Sequence, residues 1–384
     1  MLFASSGERS SQSTPSRTSQ LLLVFLAYCL TGWIGLYVPF ENDKVTLFWL
    51  PSGIAVAALY RWSPALWPGV FFAALLLNLT TGTSSFVTDL LLAATNTLAP
   101  LISVWLLRWA NCNITYLHRS NALCFLTLCS LGMLIYAISG GIILSLQHHQ
   151  TLDSALYIGL VWWMGDTLGV FLATPLLANI NKKHIDKILA RKLDFFIVCA
   201  ISLIVGLLCF PLNNYADNIH LPIAFISFVC VAWAALNFGL PGSALTTIGF
   251  SFLAVWSSVH HLGPFALSDW QLSYWVIWIY TASMAILGLM ITAAHTEIAT
   301  TTYQLGESNQ EQEQQKQYLE AVLHAIPDLL FEIDREGQVI SFNGGNEHHT
   351  LSAPVLLGKN LSETLSSSSV SVWISACGEA DNWG

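Results

Sequence analysis

The residue with the clearest chemical potential is Asp166, in Trp162-Trp163-Met164-Gly165-Asp166-Thr167-Leu168-Gly169. It lies near the centre of an apolar run over 155–179. An ionised carboxylate at that depth in hydrocarbon is unfavourable by about 3 kcal/mol or more, so it must face a bundle interior, a partner or a cavity. Two readings follow. It is a functional group, or it is a carboxyl, protonated or not, that bonds neighbouring helices together. No Lys or Arg stands at matching depth in another apolar run, which favours protonation or a polar pocket over an ion pair.

Other polar groups lie in apolar surroundings. Asn78 and Asn96 can bridge helices or, with Asp166, line one pocket. Phe48-Trp49-Leu50-Pro51-Ser52-Gly53 opens another run. Its Pro and Gly weaken a helix and free backbone groups for other contacts. The alternative is a kinked helix start with Trp49 at the membrane interface. The candidate ligand or stimulus residues are therefore Trp49, Pro51, Ser52, Gly53, Asn78, Asn96, Trp162, Trp163 and Asp166. His148, His149, His260 and His261 read as exposed loop residues; paired, they could instead titrate or bind a metal. The eight cysteines show no CxxC or Cys/His spacing and mostly sit in apolar runs, where Cys acts as a small hydrophobe. No catalytic residue, metal ligand or cofactor is assigned.

The elements that must hold these groups are written for lipid. The 384 residues are 54% apolar and 10% charged, against about 25% charged in soluble domains. The net charge of −9 carries no basic footprint for nucleic acid. It is unevenly spread: 1–295 has 11 Lys/Arg and 10 Asp/Glu, and 296–384 has 3 and 13. Ten apolar runs are long enough to cross about 30 Å of hydrocarbon: 20–39, 45–61, 65–81, 86–108, 121–146, 155–179, 193–211, 220–238, 240–259 and 271–294. The runs at 45–61, 65–81 and 240–259 are short or interrupted, so eight or nine crossings also fit. Pro and Gly in 61–64 and in Phe238-Gly239-Leu240-Pro241 mark turns. With the N-terminus inside, the inner segments hold ten Lys/Arg and the outer loops only Lys44, a positive-inside signal that places both termini in the cytoplasm. The outer loops are short, so a sensed ligand would bind in the bundle or at its outer mouth.

Three stretches resemble a known family. Trp49 to Leu59, with Pro51-Ser52-Gly53-Ile54-Ala55, is similar to the W-x-P-S-G-I-A stretch of the type-one bacterial membrane-associated sensor domain of the MASE group. Trp67-Pro68-Gly69 through Asn78 is similar to its W-P-G…N stretch. Trp162-Trp163-Met164-Gly165-Asp166 with Gly169 and Pro175 is similar to its W-W-x-G-D-x-x-G…P stretch. Leu50 stands where the family commonly has Pro, and Ala73 where it often has Gly. The resemblance covers 20–295. It implies a sensory domain of the bacterial inner membrane, commonly fused to diguanylate cyclase, cyclic-di-GMP phosphodiesterase or histidine kinase modules, and it transfers no catalytic residue.

After 295 the chain turns polar. Ile298, Thr302, Leu305, Asn309, Gln312, Lys316, Leu319, Leu323 and Ile326 follow alternating 4–3 spacing, a helical seam. It is read as a signalling helix over 296–326 that could pair two copies through 298–326; a solvated linker is the other reading. Ile326-Pro327-Asp328, two alternating strands around Asp334–Gly337, and Gly358-Lys359-Asn360-Leu361 resemble the opening of a PAS domain over 320–384. A complete PAS domain needs about 100 residues, so 344–384 is expected to be poorly ordered and the chain to be part of a longer protein. No GGDEF, EAL or kinase motif is present; the parent could be a diguanylate cyclase or histidine kinase.

The expected fold is thus an all-α polytopic membrane bundle of about ten transmembrane helices, with a cytoplasmic helix and a partial α+β PAS-like fragment. Residues 1–19 form a disordered tail and 20–295 the sensor domain. The expected partners are the lipid bilayer, an unknown small ligand or membrane protein, and a second copy of the chain. The expected function is a sensory module of a signal-transduction protein, with a transporter or channel as the alternative.

Overall fold

The computed structural model describes residues 16–36, 49–81, 85–115, 118–148, 151–179, 182–210, 223–325, 330–334, 338–343 and 358–360. The expected disorder of 1–19 and 344–384 falls almost wholly outside them. Two compact units are present, 1–299 and 300–384.

The first unit is built from α1 (Arg17–Leu36), α2 (Leu50–Arg61), α3 (Trp67–Thr81), α4 (Phe86–Trp109), α5 (Arg119–His148), α6 (Leu152–Asn179), α7 (Lys182–Ala190), α8 (Lys192–Cys209), α9 (Ile226–Val259) and the first part of α10 (Trp270–Ala325). Eight helical segments among the described residues are long and apolar enough to cross a membrane. Within the described residues, each of the ten apolar runs falls on a helix or half of one. The two numbers differ for two physical reasons.

First, α9 is two helices. Gly239 has φ +64° and ψ −144°, a conformation open to glycine. A Cβ added to Gly242 would sit 2.6 Å from the Ala234 carbonyl oxygen. Eight residues of straight helix span about 12 Å, so the chain must reverse. One added at Gly288 would likewise meet both Ser243 and Val231, at 3.0 and 3.2 Å. The limbs 226–238 and 240–259 therefore lie side by side, with the turn where the sequence places it.

Second, α2 is short. Its 12 residues extend about 18 Å, half a crossing, where the sequence predicts a span over 45–61. Pro51 lies in its first turn, where the missing N–H is harmless. The N-terminal end meets α6 at mid-length: Trp49 N–H donates to the Gly165 carbonyl at 2.8 Å. Every α2 residue from Pro51 to Leu59 except Ile54 is buried. The neighbours α1, α4 and α6 surround it.

Helices in lipid gain little from burial against one another and associate by close packing at small residues and by hydrogen bonds. Here α2 and α6 cross at Gly53 and Gly169; a Cβ on Gly53 would lie 2.8 Å from both the Ala173 Cβ and the Gly169 carbonyl carbon. The Thr174 hydroxyl adds a bond to the Gly53 carbonyl at 2.9 Å. Outside this centre, Leu22, Leu26 and Leu30 of α1 and Leu193, Phe196 and Leu203 of α8 are exposed, as expected for lipid-facing helices.

The second unit contains the rest of α10 and two antiparallel strands, β1 (Leu330–Ile333) and β2 (Val339–Asn343), with Phe331 opposite Phe342 and a bridge between Gln338 and Asn360. The strands fall where alternation predicts them. A hairpin and one bridge are far less than a PAS sheet, and they do not establish that fold.

Candidate functional site

The site forms where α2 begins. Asp166 is 2% exposed, at the middle of α6. The Ser52 hydroxyl donates to Asp166 Oδ1 at 2.5 Å. Asp166 Oδ2 is buried without a hydrogen-bond partner. Ser52 sits in the first turn of α2, whose N-terminal end carries partial positive charge, so the helix favours a carboxylate there. Trp49 supplies no side-chain cap to this end. Gly53 and Gly169 let the two backbones approach closely enough for the Ser52–Asp166 contact to form.

Three tyrosines complete the surroundings. Tyr28 of α1, Tyr136 of α5 and Tyr274 of α10 lie around Asp166. Tyr274 donates to the Val161 carbonyl at 3.1 Å. Tyr136 lies beside the Asn96 side chain and stacks on Trp162, with ring centroids 5.1 Å apart. The Trp49 side chain approaches the Tyr28 hydroxyl without full hydrogen-bond geometry, so that hydroxyl, like Asp166 Oδ2, is buried and unsatisfied. Two buried polar atoms without hydrogen-bond partners thus stand beside the start of a half-length helix. Such groups are uncommon in folded proteins and mark places that a proton, water or ligand can complete.

Of the nine residues singled out from sequence, Trp49, Pro51, Ser52, Gly53 and Asp166 meet directly at the α2–α6 junction. Asn96 and Trp162 join through Tyr136. Trp163 serves packing: its indole N–H donates to the Ser130 carbonyl at 2.8 Å and its ring lies 5.7 Å from that of Trp278. Asn78 is elsewhere, near the far end of α3, where its amide donates to the Asp89 carbonyl at 3.2 Å. Tyr28 and Tyr136 escape sequence reasoning because a tyrosine in an apolar run reads as ordinary core or interface. Of the histidine pairs, exposed His260 bonds through Nδ1 to the Trp256 carbonyl at 2.8 Å, apart from the site; the side chain of His148 and the whole of His149 lie outside the described residues.

The MASE1 family model matches residues 19–299. The chain belongs to the MASE1 family. No curated protein and no solved structure matches it. The MASE1 region coincides with the first compact unit, so the junction of α2 and α6 belongs to the sensor domain. MASE1 is a membrane-associated sensor domain, and the many apolar helices make this a multi-pass membrane protein.

Proposed function

We propose that this MASE1 domain is the stimulus-reading part of a bacterial signal-transduction protein of the inner membrane. The single observation carrying the proposal is the half-length α2, which ends on a buried aspartate with one unsatisfied oxygen. A stimulus acts only if it binds two states of the bundle differently. A species that satisfies Asp166 Oδ2, or removes its charge, changes the Ser52 contact and hence the seating of α2 against α6.

The concentration of Lys and Arg at one end supports a cytoplasmic location for both termini. The helical seam over 296–326 would then carry the change toward the 320–384 segment, with pairing of two copies through 298–326. The β1–β2 hairpin is compatible with a PAS-like segment there. The output would be a cyclase, phosphodiesterase or kinase domain of the parent protein.

The test is Asp166→Asn in the full-length gene product, with cyclic-di-GMP level and autophosphorylation as readouts. A shifted basal output or a lost response supports the reading. Output unchanged under every condition tested refutes it. The half-helix beside a mid-depth acid also fits a transporter, because discontinuous helices build transport sites. Asp166-dependent uptake into proteoliposomes would favour that alternative.

A further inference from the structure

The end of α2 remote from Asp166 is tied to the loop that follows α4. The Tyr60 hydroxyl donates to the Cys112 carbonyl at 3.1 Å and accepts from the Ile114 N–H at 3.3 Å. Arg108 donates to the carbonyls of Leu59 and Tyr60 at 3.4 and 3.3 Å. The corresponding end of α6 is held by the same loop: Asn179 donates to the Ile114 carbonyl at 2.8 Å. Arg61 also donates to the Leu177 carbonyl at 2.7 Å, joining α2 to α6 directly.

Five residues beyond Ile114, Arg119 opens α5 and grips Glu297 of α10. Its Nε donates to Oε2 at 3.0 Å, its Nη2 to Oε1 at 3.1 Å, and its backbone N–H to Oε2 at 3.3 Å. The forked geometry fixes direction as well as distance. The Arg191–Asp194 pair, by contrast, is local. Glu297 lies two residues before Ala299, the last residue of the first unit.

We propose that residues 110–115, bonded to the ends of α2 and α6, and the Arg119–Glu297 clamp form the relay through which the α2–α6 junction positions the exit segment of α10. This rests on the sensory reading above. Both ends of the relay are fixed: one by bonds to the termini of α2 and α6, the other by a bidentate ion pair at the last turn before the exit. When α2 shifts against α6, the loop holding Tyr60 and Asn179 moves with them, and Arg119 transmits the movement to Glu297. Arg119 and Glu297 are positioning residues; neither touches Asp166. Coupling through such a path requires direct evidence.

Hydrogen exchange of the full chain in lipid nanodiscs, read by mass spectrometry over 298–322, supplies that evidence. Ser52→Ala perturbs the junction without adding bulk. In the native background it should change exchange in 298–322 by about two- to five-fold, the range an exposed pair can control. With Arg119→Gln or Glu297→Gln present, the change in 298–322 should vanish while exchange in 50–58 and 162–170 still responds. Both clamp side chains are solvent-accessible, so these variants leave the core intact. If the effect on 298–322 persists undiminished in both clamp variants, the relay is refuted and the sensory reading survives. If Ser52→Ala has no effect on 298–322 in the native background while 50–58 responds, relay and sensory reading fail together.

Discussion

Gly53→Ala tests the α2–α6 junction most sharply. The added methyl would lie 2.8 Å from the Ala173 Cβ, where apolar carbons rest at about 3.5–4.0 Å. The helices must separate by roughly 1 Å. That stretches the Trp49–Gly165 bond from 2.8 Å beyond useful hydrogen-bond length and loosens the Ser52–Asp166 contact. Overpacking of this size destabilises by about 1–3 kcal/mol, and each lost bond adds about 1 kcal/mol. The expected total is about 2–5 kcal/mol. The assay is reversible unfolding of the chain in bicelles by added denaturing detergent, followed by tryptophan fluorescence. Gly249→Ala is the control: nothing lies within 4 Å of a Cβ there, so the change should be neutral or stabilise α9 by up to about 1 kcal/mol. If Gly53→Ala stays within about 0.5 kcal/mol of the native chain, or Gly249→Ala proves equally damaging, the close crossing does not hold the junction together.

Three further outcomes are expected. Ser52→Ala leaves both Asp166 oxygens without the hydroxyl and should destabilise the bundle by about 1–3 kcal/mol in the same assay, whereas Ser52→Thr, which keeps a donor, should be milder. Gly239→Ala forces a side chain into a glycine-only conformation and should lose about 1–3 kcal/mol, with faster proteolysis between the limbs of α9. Glu297 titrates at about 2 because Arg119 hydrogen-bonds its carboxylate, against an ordinary value of 4.5. Since the folded-state value is depressed, the clamp's contribution is fully present above about pH 4.5 and disappears as pH falls through about 2. Carboxyl carbon NMR of Arg119→Gln should show Glu297 titrating back near the ordinary carboxylate range.

The crossings were legible because hydropathy speaks directly to helix length in lipid, and the reversal at Gly239-Leu240-Pro241 because those residues punctuate a helix. The importance of Asp166 was legible because a buried carboxylate is expensive whatever surrounds it. Its partner was not. Ser52 lies 114 residues away in sequence, and its run, though read as short and interrupted, says nothing of which helix it meets or at what depth. Only the contact between Trp49 and Gly165 reveals that α2 begins halfway along α6. Asn78 was left open between bridging helices and lining the pocket with Asp166; it bridges α3 to α4, a choice the sequence could not make because a polar residue in an apolar run carries no label for depth or facing helix. Glu297 was counted only as one charge of an acidic tail, since nothing in its neighbours points to Arg119.

Bilayer thickness acts on helices that touch lipid, by tilting or stretching them to match the hydrocarbon width. The outer helices α1 and α8 are open to that force. In α2, only Arg61, at its end, is exposed. The element that carries Ser52 is therefore insulated from mechanical changes in the membrane unless its neighbours transmit them. Among the described residues, a stretched or thickened bilayer reaches Asp166 through the packing of α1, α4 and α6 around α2 and the bonds that tie its far end, not through direct contact of α2 with lipid.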